Sequence, residues 1–244
     1  TRYIGVTGVQ TCALPISFDL DDTLWDVAPV MHGAEAALRD WLAAEAPRLG
    51  PVPIEHLWAI RARLLAAEPM LRHRLSELRR RILFHALEEA GYPHSEAQVL
   101  AEQGFQVFLE ARHRVEFFPD VHRILEHLAE RYILGVITNG NAEVARLGLA
   151  DYFRFAISAE QMGIGKPDPK PFHSALQRAG VEAPQAAHIG DHPGDDIAGA
   201  KAAGLRAIWF NPQGKDWQGE AAPDAQIRRL AELPALLAGW SAGR

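Results

Sequence analysis

Cysteine is nearly missing from this chain: its 244 residues hold one, Cys12, which rules out an intrachain disulfide. No paired Cys/His spacing of a zinc site occurs either, so a reducing cytoplasm is the expected compartment. There is no apolar run of the roughly 20 residues that a bilayer crossing takes, and a membrane span is not expected. Positive charge is also short. Lys plus Arg number 25 against 31 Asp plus Glu, a formal charge of -6, which disfavours a nucleic-acid partner because phosphate backbones reward a basic face. Internal repeats and low-complexity tracts are absent. What is there is ordinary for a globular protein, 48% hydrophobic and 23% charged. The length suits one α/β domain or a core domain carrying a smaller insert.

The beginning of the chain stands apart. Val6 to Ser17 reads VTGVQTCALPIS, similar to the translation of a common sequencing-adapter oligonucleotide, and it lacks the zones of a signal peptide. Residues 1–17 are therefore expected to be an artefact or an irregular arm, with Pro15 costing a ladder hydrogen bond where a strand should run.

FDLDDTL, Phe18 to Leu24, is an apolar lead running into carboxylates, as where a buried strand empties into a loop. From there to Arg114 the periodicity is helical: Val30 to Ala46, Ile54 to Glu68, Met70 to Ala90 and Ser95 to Arg112, punctuated by Pro47, Pro51, Pro53, Pro69, Gly91 and Pro93. After Phe117 the pattern alternates between helix and short apolar strand, the signature of a parallel sheet with covering helices. Helices are predicted over Asp120 to Arg131, from near Asn141, over Pro171 to Ala179 and over Asp196 to Ala203. Strands are predicted over Tyr132 to Thr138, Phe153 to Ser158, Ala187 to Gly190 and Arg206 to Phe210, with a surface loop over Pro212 to Pro223. The fold class is thus α/β, a Rossmann-like parallel sheet core (18–27 and 116–244) with an inserted helical domain (28–115).

Reactive groups gather where strands end: Asp19 and Asp21, then Thr138 and Asn139, then Lys166 in a later loop, then Asp191. Singly each has a dull reading, a helix cap or a solvated lysine. Together they fit the crevice that an open α/β sheet forms at the carboxyl ends of its strands.

FDLDDTL, VITNG, GKPDPKPF and HIGDHPGDDIAGAKAAG resemble, in order and spacing, the four motifs of the haloacid dehalogenase superfamily, and the helical insert resembles its C1-type cap. That resemblance implies roles. Asp19 matches the nucleophile that attacks phosphorus, and Asp21 the acid/base that protonates the leaving alcohol and later deprotonates water. An acidic residue at this second position points to phosphoryl transfer, because the dehalogenases of the superfamily lack it. Asp22 is read as a solvent-facing neighbour and Thr23 as holding the loop through its hydroxyl. Thr138 and the amide of Asn139 match the donors to a phosphoryl oxygen, and Lys166, not Lys170, the cation that neutralises nucleophile and phosphoryl group. Mg²⁺ is the implied cofactor, held by Asp19, the Asp21 backbone carbonyl and Asp191. Asp196 is preferred over Asp195 as the supporting acid of the GDxxxxD pattern.

The substrate expected from this resemblance is a small-molecule phosphate monoester, with specificity set by the cap. Arg72, His73, Arg74, Arg79, Arg80 and Arg81 crowd one cap segment, and Arg79 is the candidate substrate contact. Trp25 and Trp58 are read as packing or hinge residues before heterocycle platforms. EPMLRHRLSELRRR, ITNGNAE and LGLADYF are similar to a bacterial phosphatase group acting on FMN and 5-amino-6-(5-phospho-D-ribitylamino)uracil, a riboflavin-pathway role. Two alternatives stay open: a sugar-phosphate mutase of the superfamily, disfavoured because Gly190-Asp191 stands where those mutases have Glu-Asp, and a catalytically silent binding protein on the same fold. Oligomeric state is not legible.

Overall fold

The computed structural model describes residues 14–242. Its sheet has six parallel strands: β1 (Ile16–Phe18), β2 (Leu134–Thr138), β3 (Phe155–Ser158), β4 (Ala187–Gly190), β5 (Arg206–Phe210) and β6 (Ala225–Ile227). The order across the sheet is β3-β2-β1-β4-β5-β6, so the chain reverses its direction of travel at β1. In register, Phe18 lies between Val136 of β2 and Ile189 of β4. Every residue of β1, β2 and β4 is buried, because helices cover both faces and leave no wet side for polar alternation.

The period of two then sorts side chains between two apolar layers. Ile208 and Phe210 of β5 join Ile16, Phe18 and Val136 beneath α5 (Val121–Ala129) and α9 (Leu233–Ala242). Ala207 and Trp209 join Ile137 and Ile157 beneath α7 (Pro169–Ala179) and α8 (Gly199–Ala202), the short α6 (Ala159–Met162) following directly on β3. The helices are written for this. Val121, Ile124, Leu125 and Leu128 of α5 fall on one stripe and are all buried. α7 opens with the Asp168 side chain accepting from Lys170 N and Pro169 in its first turn, and closes at Gly180 with φ 71.

Between β1 and β2 lie α1 (Val27–Glu45), α2 (Ile54–Ala67), α3 (Leu75–Glu89) and α4 (His94–Arg112); α1, α3 and α4 pack around their own cluster of Ala34, Leu38, Leu83, Leu87, Phe105 and Phe108, and α2 lies against α3. The architecture is thus the expected α/β sheet core with a helical cap. Two strands of chain connect them, and they meet at Trp25: its backbone bridges to both Asp21 and Phe117, its ring sits edge-on to Phe117 at 5.9 Å, and it is fully buried. Trp25 is therefore a packing residue where cap and core join, whereas Trp58 is exposed on α2. No helix among the described residues is long and apolar enough to cross a membrane.

Several expectations are corrected. Residues 1–13, with Cys12, lie outside the described residues, but Ile16 and Ser17 belong to the central strand and Leu14 is buried, so the tail of the segment set apart as an arm is part of the sheet. Pro15 falls just before β1, where its carbonyl accepts from Ala187 N at 3.0 Å and its missing N–H is tolerated at a strand start. Met70 to Ala90 is not one helix. A 3₁₀ turn spans Pro69–His73, and α3 starts afresh at Leu75 because Glu160 of the core reaches over to accept from Ser76 N at 3.1 Å and Glu77 N at 3.3 Å. The helix expected near Asn141 is a run of turns, with Glu143 N donating to His113 Nε2 at 2.9 Å. The helix expected over Asp196 to Ala203 starts earlier, as a π-helical turn over Pro193–Ala198 leading into α8, while β6 and α9 were not legible in the pattern.

Candidate active site

The three adjacent central strands, β2, β1 and β4, end at Thr138, just before Asp19 and just before Asp191. Asp19 N donates to Ile189 O at 2.8 Å, so the sheet ladder itself aims this residue. The residue is 8% exposed, and Oδ1 accepts from Lys166 Nζ at 2.6 Å. Oδ2 has no protein donor among the described residues. Lys166 Nζ also donates to Asp196 Oδ1 at 2.5 Å, and both residues are buried.

Asp196 is anchored more deeply still. His188 Nε2 lies 3.0 Å from the same Oδ1, Ser17 Oγ lies 2.9 Å from His188 Nδ1, and His192 N donates to Asp196 Oδ2 at 2.9 Å. The π-helical turn makes this possible, because the bond from Ile197 N to His192 O places an extra residue in the turn and rolls Asp196 inward. Asp195 takes the other direction, accepting from Asn139 Nδ2 at 3.1 Å on the rim.

The Lys166 loop is clamped by Asn139, whose Oδ1 accepts from Lys166 N and whose Nδ2 donates to Lys166 O, each at 2.8 Å. Gly165 is required beside it, since a Cβ there would fall 2.3 Å from Asn139 Oδ1. The Lys166-Pro167 peptide is cis. Lys170 is exposed. Thr138 Oγ1 accepts from Gly140 N at 3.0 Å. Thr23, fully buried, directs its hydroxyl toward Asp191 Oδ1 at 3.5 Å. Asp22, expected to face solvent, is half-buried instead: it adopts φ 57 and accepts from Val27 N at 2.9 Å, closing the turn into α1.

Electrostatics divide the carboxylates. Burial pushes Asp19 up, against the pull of the Lys166 ammonium. Burial alone would lower Lys166, but Asp19 and Asp196 outweigh it and hold the lysine charged well above its ordinary range. Burial likewise works on Asp196, yet Lys166 and His188 overcome it and keep that carboxyl far below the usual value. Asp191 differs. Burial, with Asp196 and Asp22 nearby, pushes it up to about 7, and among the described residues no cation pairs with it. Asp21 is raised by burial in spite of Arg112, which grips it from the cap.

Oxygens of Asp19, Asp191 and Asp196 lie within 4.8 Å of one another. A hard divalent cation fits this set, since the buried carboxylates outnumber the cations that face them and no cation among the described residues is paired with Asp191. Asp196 is spoken for by Lys166, His188 and His192 N, which leaves Asp19 and Asp191 as the open carboxylates. Gly190 protects the arrangement, because a Cβ there would meet Asp196 Cγ at 2.2 Å. Gly190→Ala is expected to displace Asp196 and to destabilise by about 1–3 kcal/mol through overpacking, read as a lower melting temperature. An unchanged melting temperature would mean that Asp196 is not pinned as described.

The candidates from sequence thus converge, except Arg79. Its guanidinium lies over the Phe108 ring at 3.7 Å and 3.4 Å from Glu35, contacts made within the cap. Sequence reasoning passed over Arg112, His188 and Ser17. His188 inside AAHIG and Ser17 before FDL had no signal beyond a polar residue in an apolar run, and Arg112 sat in a helix that reads as ordinary.

Comparison with known proteins agrees. A model of the haloacid dehalogenase-like hydrolases matches residues 16–204. The chain is 32% identical to the 5-amino-6-(5-phospho-D-ribitylamino)uracil phosphatase YigB of Escherichia coli K12, over 91% of this chain and 95% of that protein. It is also 32% identical to a phosphoserine phosphatase of Thermus thermophilus, over 88% and 95%. Among solved structures, a 2-haloacid dehalogenase from Pseudomonas syringae pv. Tomato DC3000 superposes with a TM-score of 0.92 at 64% identity, covering 93% of this chain and 99% of that one. The chain belongs to the haloacid dehalogenase-like hydrolases.

Proposed function

We propose that this hydrolase is a Mg²⁺-dependent phosphatase that cleaves a small-molecule phosphate monoester through an aspartyl-phosphate on Asp19. The observation that carries the reading is the division of labour at one sheet edge. Lys166 holds Asp19 Oδ1 and leaves Oδ2 open, Asp191 faces the same space with no cation among the described residues paired to it, and Asp21 stands two residues on with its carboxyl raised. Asp19 Oδ2 attacks phosphorus, forming an acyl phosphate as the ester oxygen departs. Asp21 gives that oxygen its proton and then takes one from the water that hydrolyses the acyl phosphate. Lys166 neutralises the phosphoryl oxygens, with the Thr138 hydroxyl and the Asn139 amide as further donors. Asp19, Asp191 and the Asp21 backbone carbonyl would hold Mg²⁺, which when bound supplies charge neutralisation for nucleophile and phosphoryl group.

A second reading, 2-haloacid dehalogenation, is favoured by the 64% identical structural relative. A departing halide needs no proton, so that chemistry leaves the Asp21 carboxyl without a task. The mutase reading meets an obstacle at Gly190, where the family's glutamate has no room beside Asp196. For the substrate, the E. coli relative supports 5-amino-6-(5-phospho-D-ribitylamino)uracil, FMN stands beside it on the sequence resemblance alone, and a cytoplasmic location suits such a role. Mg²⁺-dependent phosphate release should be measured over these two compounds, phosphoserine and sugar and nucleoside phosphates, with halide release from 2-chloropropionate alongside. Phosphate release led by a riboflavin-pathway ester is expected. Halide release without phosphate release would overturn the phosphatase reading, and binding of phosphate without turnover would favour the silent one.

Metal binding can be tested without turnover. Saturation at about 100 times Kd adds about 2.7 kcal/mol to stability, a rise of roughly 5–10 °C in melting temperature for a chain of this size. Asp191→Asn should abolish that rise. Protons compete for Asp191, and because burial raises this carboxyl to about 7, affinity should fall as pH drops through that value, by on the order of tenfold per unit. Affinity flat from pH 8 to 5.5 would exclude Asp191 as the ligand.

A further inference from the structure

Arg112 occupies the last turn of α4, yet its side chain is 2% exposed, and arginine is rarely buried without a reason. Nη2 lies 2.6 Å from both carboxylate oxygens of Asp21. Nη1 is buried and among the described residues has no hydrogen-bond partner, a cost of about 1–3 kcal/mol that a purely structural contact has no cause to carry. Nor does ion pairing in the interior repay itself in stability, since apolar groups of similar volume commonly do as well. The surroundings are cleared for the pair: a Cβ at Gly140 would fall 2.6 Å from Asp21 Oδ2 and 3.7 Å from Arg112 Nη2.

The end of α4 is fixed to the core by the next residue. His113 Nε2 accepts from Glu143 N at 2.9 Å, so its proton sits on Nδ1 and is donated to Leu109 O at 2.6 Å. Burial lowers this imidazole and keeps it neutral, as the two bonds require. Arg112 is thus delivered to Asp21 from the cap, by a helix end pinned to the loop that follows Thr138.

We infer that Arg112 is the positioning residue of the leaving-group acid: it orients the Asp21 carboxyl and stabilises the carboxylate that remains once the proton has gone. This rests on the phosphatase reading. As Asp19 Oδ2 bonds to phosphorus, the P–O bond to the leaving group breaks with its electron pair on oxygen. That oxygen takes the Asp21 proton and departs as the neutral alcohol. Negative charge then appears on Asp21 against the guanidinium, so the contact strengthens as the reaction proceeds, the condition for an interaction to raise kcat. Because Arg112 rides on α4, the acid is set only while the cap is seated on the core.

The inference predicts a dependence on the leaving group. With an alkyl ester such as FMN the leaving oxygen must be protonated, whereas p-nitrophenolate departs without a proton. Asp21 also acts as base in the later hydrolysis of the acyl phosphate from either ester, so the quantity to read is kcat/KM, which ends at release of the alcohol or phenolate. Arg112→Met, saturated with Mg²⁺, is expected to lose about 100-fold in kcat/KM with FMN and to stay within about threefold of the native value with p-nitrophenyl phosphate. Arg112→Lys, which keeps a cation but not the planar fork, should fall in between on FMN. If Arg112→Met folds poorly, the ratio of the two activities in Arg112→Lys decides, because the folded fraction cancels within one preparation. Equal losses of kcat/KM on both esters, or an undiminished kcat/KM with FMN, would overturn the inference. If FMN is not a substrate, the best alkyl phosphate of the panel takes its place. A native enzyme that cleaves neither ester type would instead overturn the phosphatase reading.

Discussion

Asp19→Asn is expected to abolish phosphate release, lowering kcat by about 10⁴-fold or more, because an amide has no anionic oxygen with which to attack phosphorus. The substitution is nearly isosteric and leaves the backbone bond from residue 19 to Ile189 O untouched. Lys166 keeps Asp196 as a partner, and a carboxylate that burial disfavours is removed. A melting temperature within a few degrees of the native value is therefore expected, which separates loss of chemistry from loss of fold. Acid-quenched native enzyme should carry acyl phosphate during turnover, and the variant none. Turnover above about one per cent of native, with the fold intact, would remove Asp19 from the role of nucleophile.

Lys166→Met should damage both activity and stability. Removing one member of a buried ionic set leaves the others uncompensated, here Asp19 and Asp196, at a cost of about 3–5 kcal/mol. For a chain of this length that corresponds to a fall of roughly 6–20 °C in melting temperature. Phosphate release should fall by about 10³-fold, since the cation that neutralises the phosphoryl oxygens goes with it. The double variant Lys166→Met/Asp196→Asn distinguishes the two effects. It should regain part of the lost stability, because the stranded charge at 196 is gone, and none of the activity. Recovery of activity in the double variant would show that the lysine acts only by balancing Asp196.

The ordered motifs carried much of the site. Asp19, Thr138 and Asp191 stand at the ends of apolar runs that read as buried strands, so a parallel sheet brings them to one edge, where the later loop that carries Lys166 joins them. Asp196 over Asp195 was also legible, and it is the one that meets Lys166. The misses share a cause. Whether Met70 to Ala90 runs unbroken depends on Glu160, which supplies acceptors to the amides of Ser76 and Glu77 from more than 80 residues away. The turns after Asn141 depend on His113 in the same manner. Such partners leave no local periodicity to read.

By itself the sequence determined the parallel sheet, the helical insert and the identity of the reactive side chains, because hydrophobic period and residue chemistry are properties of short segments. Only the tertiary structure decided which charges meet. The placing of His188 and Ser17 behind Asp196, and of Arg112 from the cap upon Asp21, follows from packing across the sheet and between the two layers of helices. Burial in turn sets the electrostatics, since taking a carboxylate out of water is what makes each nearby cation decisive.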